Sequence, residues 1–175
     1  VILDGKTLKA GTDYTADYSD NVNVTAGSAK ASVTVTGKGN YTGAVDAEFA
    51  ITPMDISKLS IEDIPAQVYA GQAVRPEVTL RNGDVLLVAG VDYSVEYQNN
   101  EAVTKTAKAV ITGKGNYKGS VTKTFVITAL SIEDAEISGI ADTVVYSGED
   151  IEFSGIKVTV NGIQLANGTD YTVAY

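Results

Sequence analysis

Apolar and polar residues alternate with a period of two along most of this chain. Tyr14, Ala16 and Tyr18 fall on one side of an extended segment, and Asp13, Thr15 and Asp17 on the other. The pattern returns as Tyr93, Val95 and Tyr97 against Asp92, Ser94 and Glu96, and Ala31, Val33 and Val35 alternate with Ser32, Thr34 and Thr36. Such segments predict strands that bury one face and wet the other, as antiparallel sheets do. Their β-branched and aromatic content points the same way. Asp4-Gly5, Asn82-Gly83 and Asn161-Gly162 separate short apolar runs, and each pair suits the positive φ of a two-residue hairpin turn. No helical period persists over the ten or so residues that a helix needs.

The segments recur. Leu8, Gly11, Asp13 and Tyr14 reappear as Leu87, Gly90, Asp92 and Tyr93, then as Leu165, Gly168, Asp170 and Tyr171, the aspartates 79 and then 78 residues apart. Gly37-Lys38-Gly39-Asn40-Tyr41 returns unchanged as Gly113-Lys114-Gly115-Asn116-Tyr117. Behind them Val45, Phe49 and Ile51 match Val121, Phe125 and Ile127. Three blocks in one order at one period define a repeat. With Pro53 and the polar stretch through Lys58 read as a linker, the frame is a partial repeat at 1–52, a complete repeat at 53–128 and a partial repeat at 129–175. The complete repeat holds about seven short strands, which predicts an all-β fold of tandem small antiparallel β-sandwich repeats without significant helix. The alternative is a β-grasp-like repeat, which requires one helix across its sheet. A unit this small has little core, so neighbouring repeats of the same chain are expected to pack against each other.

Composition narrows the function classes. The net charge is −9, which argues against nucleic acid as a partner, because phosphates need a basic patch. Cysteine and histidine are absent, so disulfides, thiol nucleophiles and most zinc sites are excluded. No apolar run is long enough for a membrane-spanning helix, and no membrane insertion is expected.

The paired tyrosines invite a reading as a sugar-stacking platform, but their parity with Ala16, Val95 and Val173 predicts core positions. Tyr41 and Tyr117, in the glycine-rich blocks, are the better ligand candidates. Asp13, Asp17 and Asp20 recur as Asp92, Glu96 and Asn99, all bearing oxygen, which raises calcium as a possible cofactor. Ala174 breaks that series in the third copy. Alternate strand positions also close no cage, so a solvated acidic face is the plainer reading and no cofactor is required. No carboxylate pair is set apart from its copy in the way a catalytic pair would be, and no catalytic residue is assigned. Lys123 interrupts the apolar parity where the first copy has Ala47. It is expected to carry its amine out to water along a sheet edge, and a lysine–asparagine isopeptide crosslink is the sharper alternative.

The run Thr36–Gly43, followed by Phe49 and Ile51-Thr52-Pro53, resembles tandem bacterial immunoglobulin-like (MBG-type) repeats of large surface proteins of Gram-positive bacteria. Leu87, Gly90, Asp92, Tyr93 and Tyr97 belong to the same pattern. The resemblance implies an extracellular, cell-surface-attached chain and a non-enzymatic role as stalk or spacer of a surface protein or adhesin. Two other roles stay open: repeats that themselves bind host glycan or extracellular protein, and an accessory module of a large secreted glycan-degrading enzyme.

Overall fold

A computed structural model describes all 175 residues. The chain is all-β. Its one helical element is a single 3-10 turn at Ile56–Lys58, so the helix that a β-grasp requires is not there. No helix is long and apolar enough to cross a membrane.

In chain order the first strands are β1 (Ile2–Leu3), β2 (Lys6–Thr7), β3 (Tyr14–Ser19), β4 (Ala31–Gly37) and β5 (Ala44–Phe49). Then come β6 (Met54–Asp55), β7 (Ser60–Ile61), β8 (Gln67–Val68), β9 (Leu80–Asn82), β10 (Val85–Leu86) and β11 (Tyr93–Gln98). The last are β12 (Thr104–Gly113), β13 (Tyr117–Lys118), β14 (Ser120–Thr128), β15 (Glu136–Ser138), β16 (Lys157–Val160) and β17 (Ile163–Gln164). β3, β4 and β5 form an antiparallel sheet, as do β7, β9 and β10, while β11, β12, β14 and β8 form a larger one. β15, β16 and β17 repeat the arrangement of β7, β9 and β10, with β9 and β16 central. Alternation did not signal two short parallel pairings, β13 with β6 and β14 with β8.

By contacts the chain divides into two compact units, residues 1–63, 78–96 and 109–123 in one and 64–77, 97–108 and 124–175 in the other. These boundaries differ from those of the sequence repeat. In the first unit Ile56, Leu80 and Ile111 are fully buried. In the second, Ala107, Phe125 and Ile127 form a core, with Ile64, Tyr69, Val74 and Tyr97 packed against it. The Tyr97 and Phe125 rings meet edge to face at 6.3 Å, a favoured aromatic geometry.

The period-two reading of the β3–β5 sheet holds in its register. Tyr14 faces Gly37, Ala16 faces Val35 and Tyr18 faces Val33, while Val33 and Val35 face Ala47 and Val45 on the other side. Apolar residues therefore share one face, and the opposite face carries Thr34 hydrogen-bonded to Asp46 at 2.6 Å. The expectation that all the paired tyrosines are core holds only in part. Tyr93 is 4% exposed, but Tyr18 is 60% exposed and Tyr175 67%. Tyr93 donates to the carbonyl of Val78, and Tyr97 to that of Pro76.

Two local expectations are corrected. The Pro53–Lys58 stretch is no linker. Met54 and Asp55 form β6, Asp55 caps the 3-10 turn by accepting from the Ser57 amide at 3.0 Å, and Ile56 is fully buried. Its polar composition concealed one essential apolar side chain. The middle hairpin also turns one residue later than Asn82-Gly83 suggests. Asn82 pairs with Val85, so the two-residue loop is Gly83-Asp84, whereas Asp4-Gly5 and Asn161-Gly162 turn as expected. Register decides this, because all three hairpins close with the same bond: Leu8 amide to Val1 carbonyl, Leu87 to Leu80 and Leu165 to Val158.

Candidate functional site

The Leu–Gly–Asp-Tyr block folds identically in all three copies. The aspartate carboxylate reaches back four residues and accepts a backbone N–H: Asp13 from Lys9 at 2.9 Å, Asp92 from Val88 at 2.8 Å and Asp170 from Ala166 at 2.8 Å. The glycine between them lies at positive φ, +79° at Gly11, +86° at Gly90 and +83° at Gly168. Its amide donates to the carbonyl of the following tyrosine in each copy. Glycine takes this conformation without a Cβ penalty, and aspartate supplies the acceptor that an otherwise open loop amide needs.

The second motif docks on the first. Lys38 donates its amide to the Asp13 carbonyl at 2.8 Å, and its Nζ reaches the Gly11 carbonyl at 2.9 Å. In the middle copy Lys114 does the same to Asp92 at 2.8 Å and to Gly90 at 3.2 Å. The two blocks, well separated in sequence, are thus one latch. The glycine-rich block closes on itself as well, Gly37 amide to Gly43 carbonyl at 2.9 Å and Gly113 to Gly119 at 3.0 Å. A Cβ on Gly37 would lie 2.7 Å from the Thr42 nitrogen, and one on Gly113 2.8 Å from that of Lys118. Glycine is therefore required by close backbone approach at both places.

The latch of the middle copy also holds residues from the first. The Asn116 carboxamide accepts from the Val24 amide at 2.8 Å and donates to the Asn23 side chain at 2.9 Å, while its backbone carbonyl accepts from Met54 at 3.0 Å. Asn40, its twin, makes none of these bonds.

The ligand candidates Tyr41 and Tyr117 are both half-buried at this corner. Tyr41 accepts a hydrogen bond from Lys6 Nζ at 2.8 Å, with the ammonium 5.6 Å from the ring centroid. That hydrogen bond is the main cause of an upward shift in the Lys6 pKa. Tyr117 has Val85 at the position equivalent to Lys6, and pairs with Met54 instead.

The calcium candidates lie apart in role. Asp13 and Asp92 cap the loops just described, Asp20 accepts from Ser19 at 3.3 Å, and Asp17 and Glu96 are exposed on β3 and β11. No three carboxylates gather into a group able to hold a metal ion. Lys123 carries its amine out to the exposed Asp63 carboxylate at 2.7 Å. This ion pair holds the Asp63 carboxyl below its ordinary pKa.

Sequence reasoning missed Asn100. It is buried, donates to the Val74 carbonyl at 2.8 Å and accepts from the Val74 amide, also at 2.8 Å. The only signal was its recurrence beside Asn99, as Asn21 stands beside Asp20. Comparison with protein-family models, with curated proteins and with solved structures finds no match.

Proposed function

We propose that this chain is a non-enzymatic spacer: a run of repeated β modules forming part of the stalk of a bacterial cell-surface protein or adhesin. One observation carries the reading. Five charged side chains of the repeated blocks, Asp13, Asp92, Asp170, Lys38 and Lys114, bond to the chain's own backbone. Residues repeated for recognition would instead direct their polar groups outward. The Asn116 bonds to Asn23 and Val24 support the same reading, because they tie one copy of the repeat to the next. Stiffness follows from such ties, and the net charge of −9 keeps an extended acidic surface from collapsing or self-associating at random. Attachment outside the cell follows from the sequence resemblance to Gram-positive surface repeats.

The test is a glycan array together with a panel of extracellular-matrix proteins, run on the whole chain. No specific binding is the expected result. Specific binding that disappears on Tyr41→Ala or Tyr117→Ala would overturn the spacer reading and make the repeats themselves the adhesive surface.

A further inference from the structure

The parallel pairings of this fold join the same two stretches of chain, one at the start of the middle copy and one at its end. Met54 and Asp55 of β6 lie beside Tyr117 and Lys118 of β13, and the Met54 amide donates to the Asn116 carbonyl at 3.0 Å. Gln67 and Val68 of β8 lie beside Ile127 and Thr128 of β14. Tyr69 extends that pair by donating its amide to the Thr128 carbonyl at 2.9 Å, and the Thr128 hydroxyl donates to the Gln67 carbonyl at 3.1 Å. Between these pairings in sequence, the Lys123–Asp63 ion pair at 2.7 Å ties the two stretches through their side chains.

One register runs through these ties. Lys123 and Asp63 are 60 residues apart, as are Ile127 and Gln67, and Thr128 and Val68. Tyr117 and Met54 stand three residues outside that register, which the three-residue 3-10 turn at Ile56–Lys58 takes up. Both compact units hold a share of the ties: β6 with β13 and the ion pair in one, β8 with β14 in the other. Lys123, which breaks the apolar parity of β14, thus sits where its amine can reach the entering stretch.

We propose that these two stretches form a mechanical clamp, loaded in shear whenever tension runs along the chain. The chain enters the middle copy just before β6 and leaves it just after β14. In a parallel pair, the N-terminal end of one strand and the C-terminal end of the other lie at opposite ends. Tension applied there slides the strands past each other along their length. The hydrogen bonds between them cross that direction, so they are strained together. A pair pulled by two adjacent ends opens one bond at a time instead. The ion pair is loaded in the same sense. Exposed ion pairs add little at equilibrium, yet this one must break together with the backbone bonds around it. The clamp deepens the spacer reading and rests on it only for the origin of the tension; the resistance itself belongs to the fold.

Single-molecule force spectroscopy on the whole chain reads the clamp. The sequence has no cysteine, so an introduced pair of cysteines places the handles without interference. Thr52→Cys with Ala129→Cys loads the clamp in shear, and Ala70→Cys with Ala129→Cys peels it from one end; all three positions are exposed. The shear pair should need roughly twice the force of the peel pair, or more, because forced unfolding reports the barrier and several bonds must yield together. Lys123→Ala should lower the shear force while leaving the peel force and the urea midpoint unchanged. The first copy carries alanine at the equivalent position, Ala47 on β5, so the substitution suits the strand. Equal forces in the two geometries overturn the proposal, as does a Lys123→Ala chain that keeps its full shear force. A urea midpoint lowered together with both forces would make the ion pair an ordinary stabilising contact and remove it from the clamp. The forces do not depend on whether a ligand binds, so failure of the clamp and failure of the spacer reading are separate results.

Discussion

Removing one oxygen atom from Tyr93 tests whether the paired tyrosines belong to the core. Its hydroxyl donates to the Val78 carbonyl at 2.6 Å, and both residues are 4% exposed. Tyr93→Phe keeps the ring and its packing but strands that carbonyl where water has little access. An ordinary hydrogen bond contributes about 1 kcal/mol net, whereas a buried polar group left unpaired costs about 1–3 kcal/mol, so a loss of about 2 kcal/mol is expected. With a urea dependence of about 1–3 kcal/mol per molar, the unfolding midpoint should fall by roughly 1 M. Far-UV circular dichroism during urea titration measures this, because the chain has no tryptophan to report it. Tyr18→Phe is the internal control. Tyr18 is 60% exposed, and surface substitutions of this kind stay within about 0.5 kcal/mol. If the two variants unfold at the same midpoint, the Tyr93 hydroxyl plays no structural part and the core reading of the tyrosines loses its main support.

Three further outcomes are expected. Asp92→Ala removes the acceptor for the Val88 amide and should cost about 1–2 kcal/mol by urea titration, against about 0.5 kcal/mol or less for Asp17→Ala on the exposed face of β3. Asn116→Ala frees the Val24 amide, so hydrogen exchange there should accelerate more than at the β4 amides, which keep their ladder partners; equal rates in variant and parent would show the contact to be idle. Asp55 carries a pKa lowered first by its backbone hydrogen bond from Ser57. A carboxyl depressed in the folded state stabilises above its unfolded pKa and loses that contribution as pH falls through the folded value. The stability difference between the parent and Asp55→Asn should therefore shrink as pH is lowered from neutrality through and below 3.8, and a pH-independent difference would count against the cap.

Much of this molecule is legible in its sequence because local rules and repetition agree. The period-two alternation of Tyr14–Ser19 and Ala31–Thr36 sets two faces whatever lies beside them, and the β3–β4 register keeps those faces. Repetition identified Asp13, Asp92, Asp170, Lys38 and Lys114 as special before any contact was known. It did not say what they do. The Asp13–Lys9 bond is local, but the Lys38–Gly11 bond joins residues 27 apart, and no periodicity encodes such a meeting.

Tertiary structure decided the rest by assigning partners. The corner at Gly113–Gly119 receives a strand that leads into the fully buried Ile56, a meeting that no local pattern encodes. The hydroxyls of Tyr93 and Tyr97 reach the carbonyls of Val78 and Pro76, 15 and 21 residues away. Sequence by itself determined the strands, their faces and the repeated Leu–Gly–Asp-Tyr block, since these depend on neighbours in the chain. Burial depends on what arrives from elsewhere in the chain, so only the folded structure could show that Ile56, in a polar stretch, is a core residue.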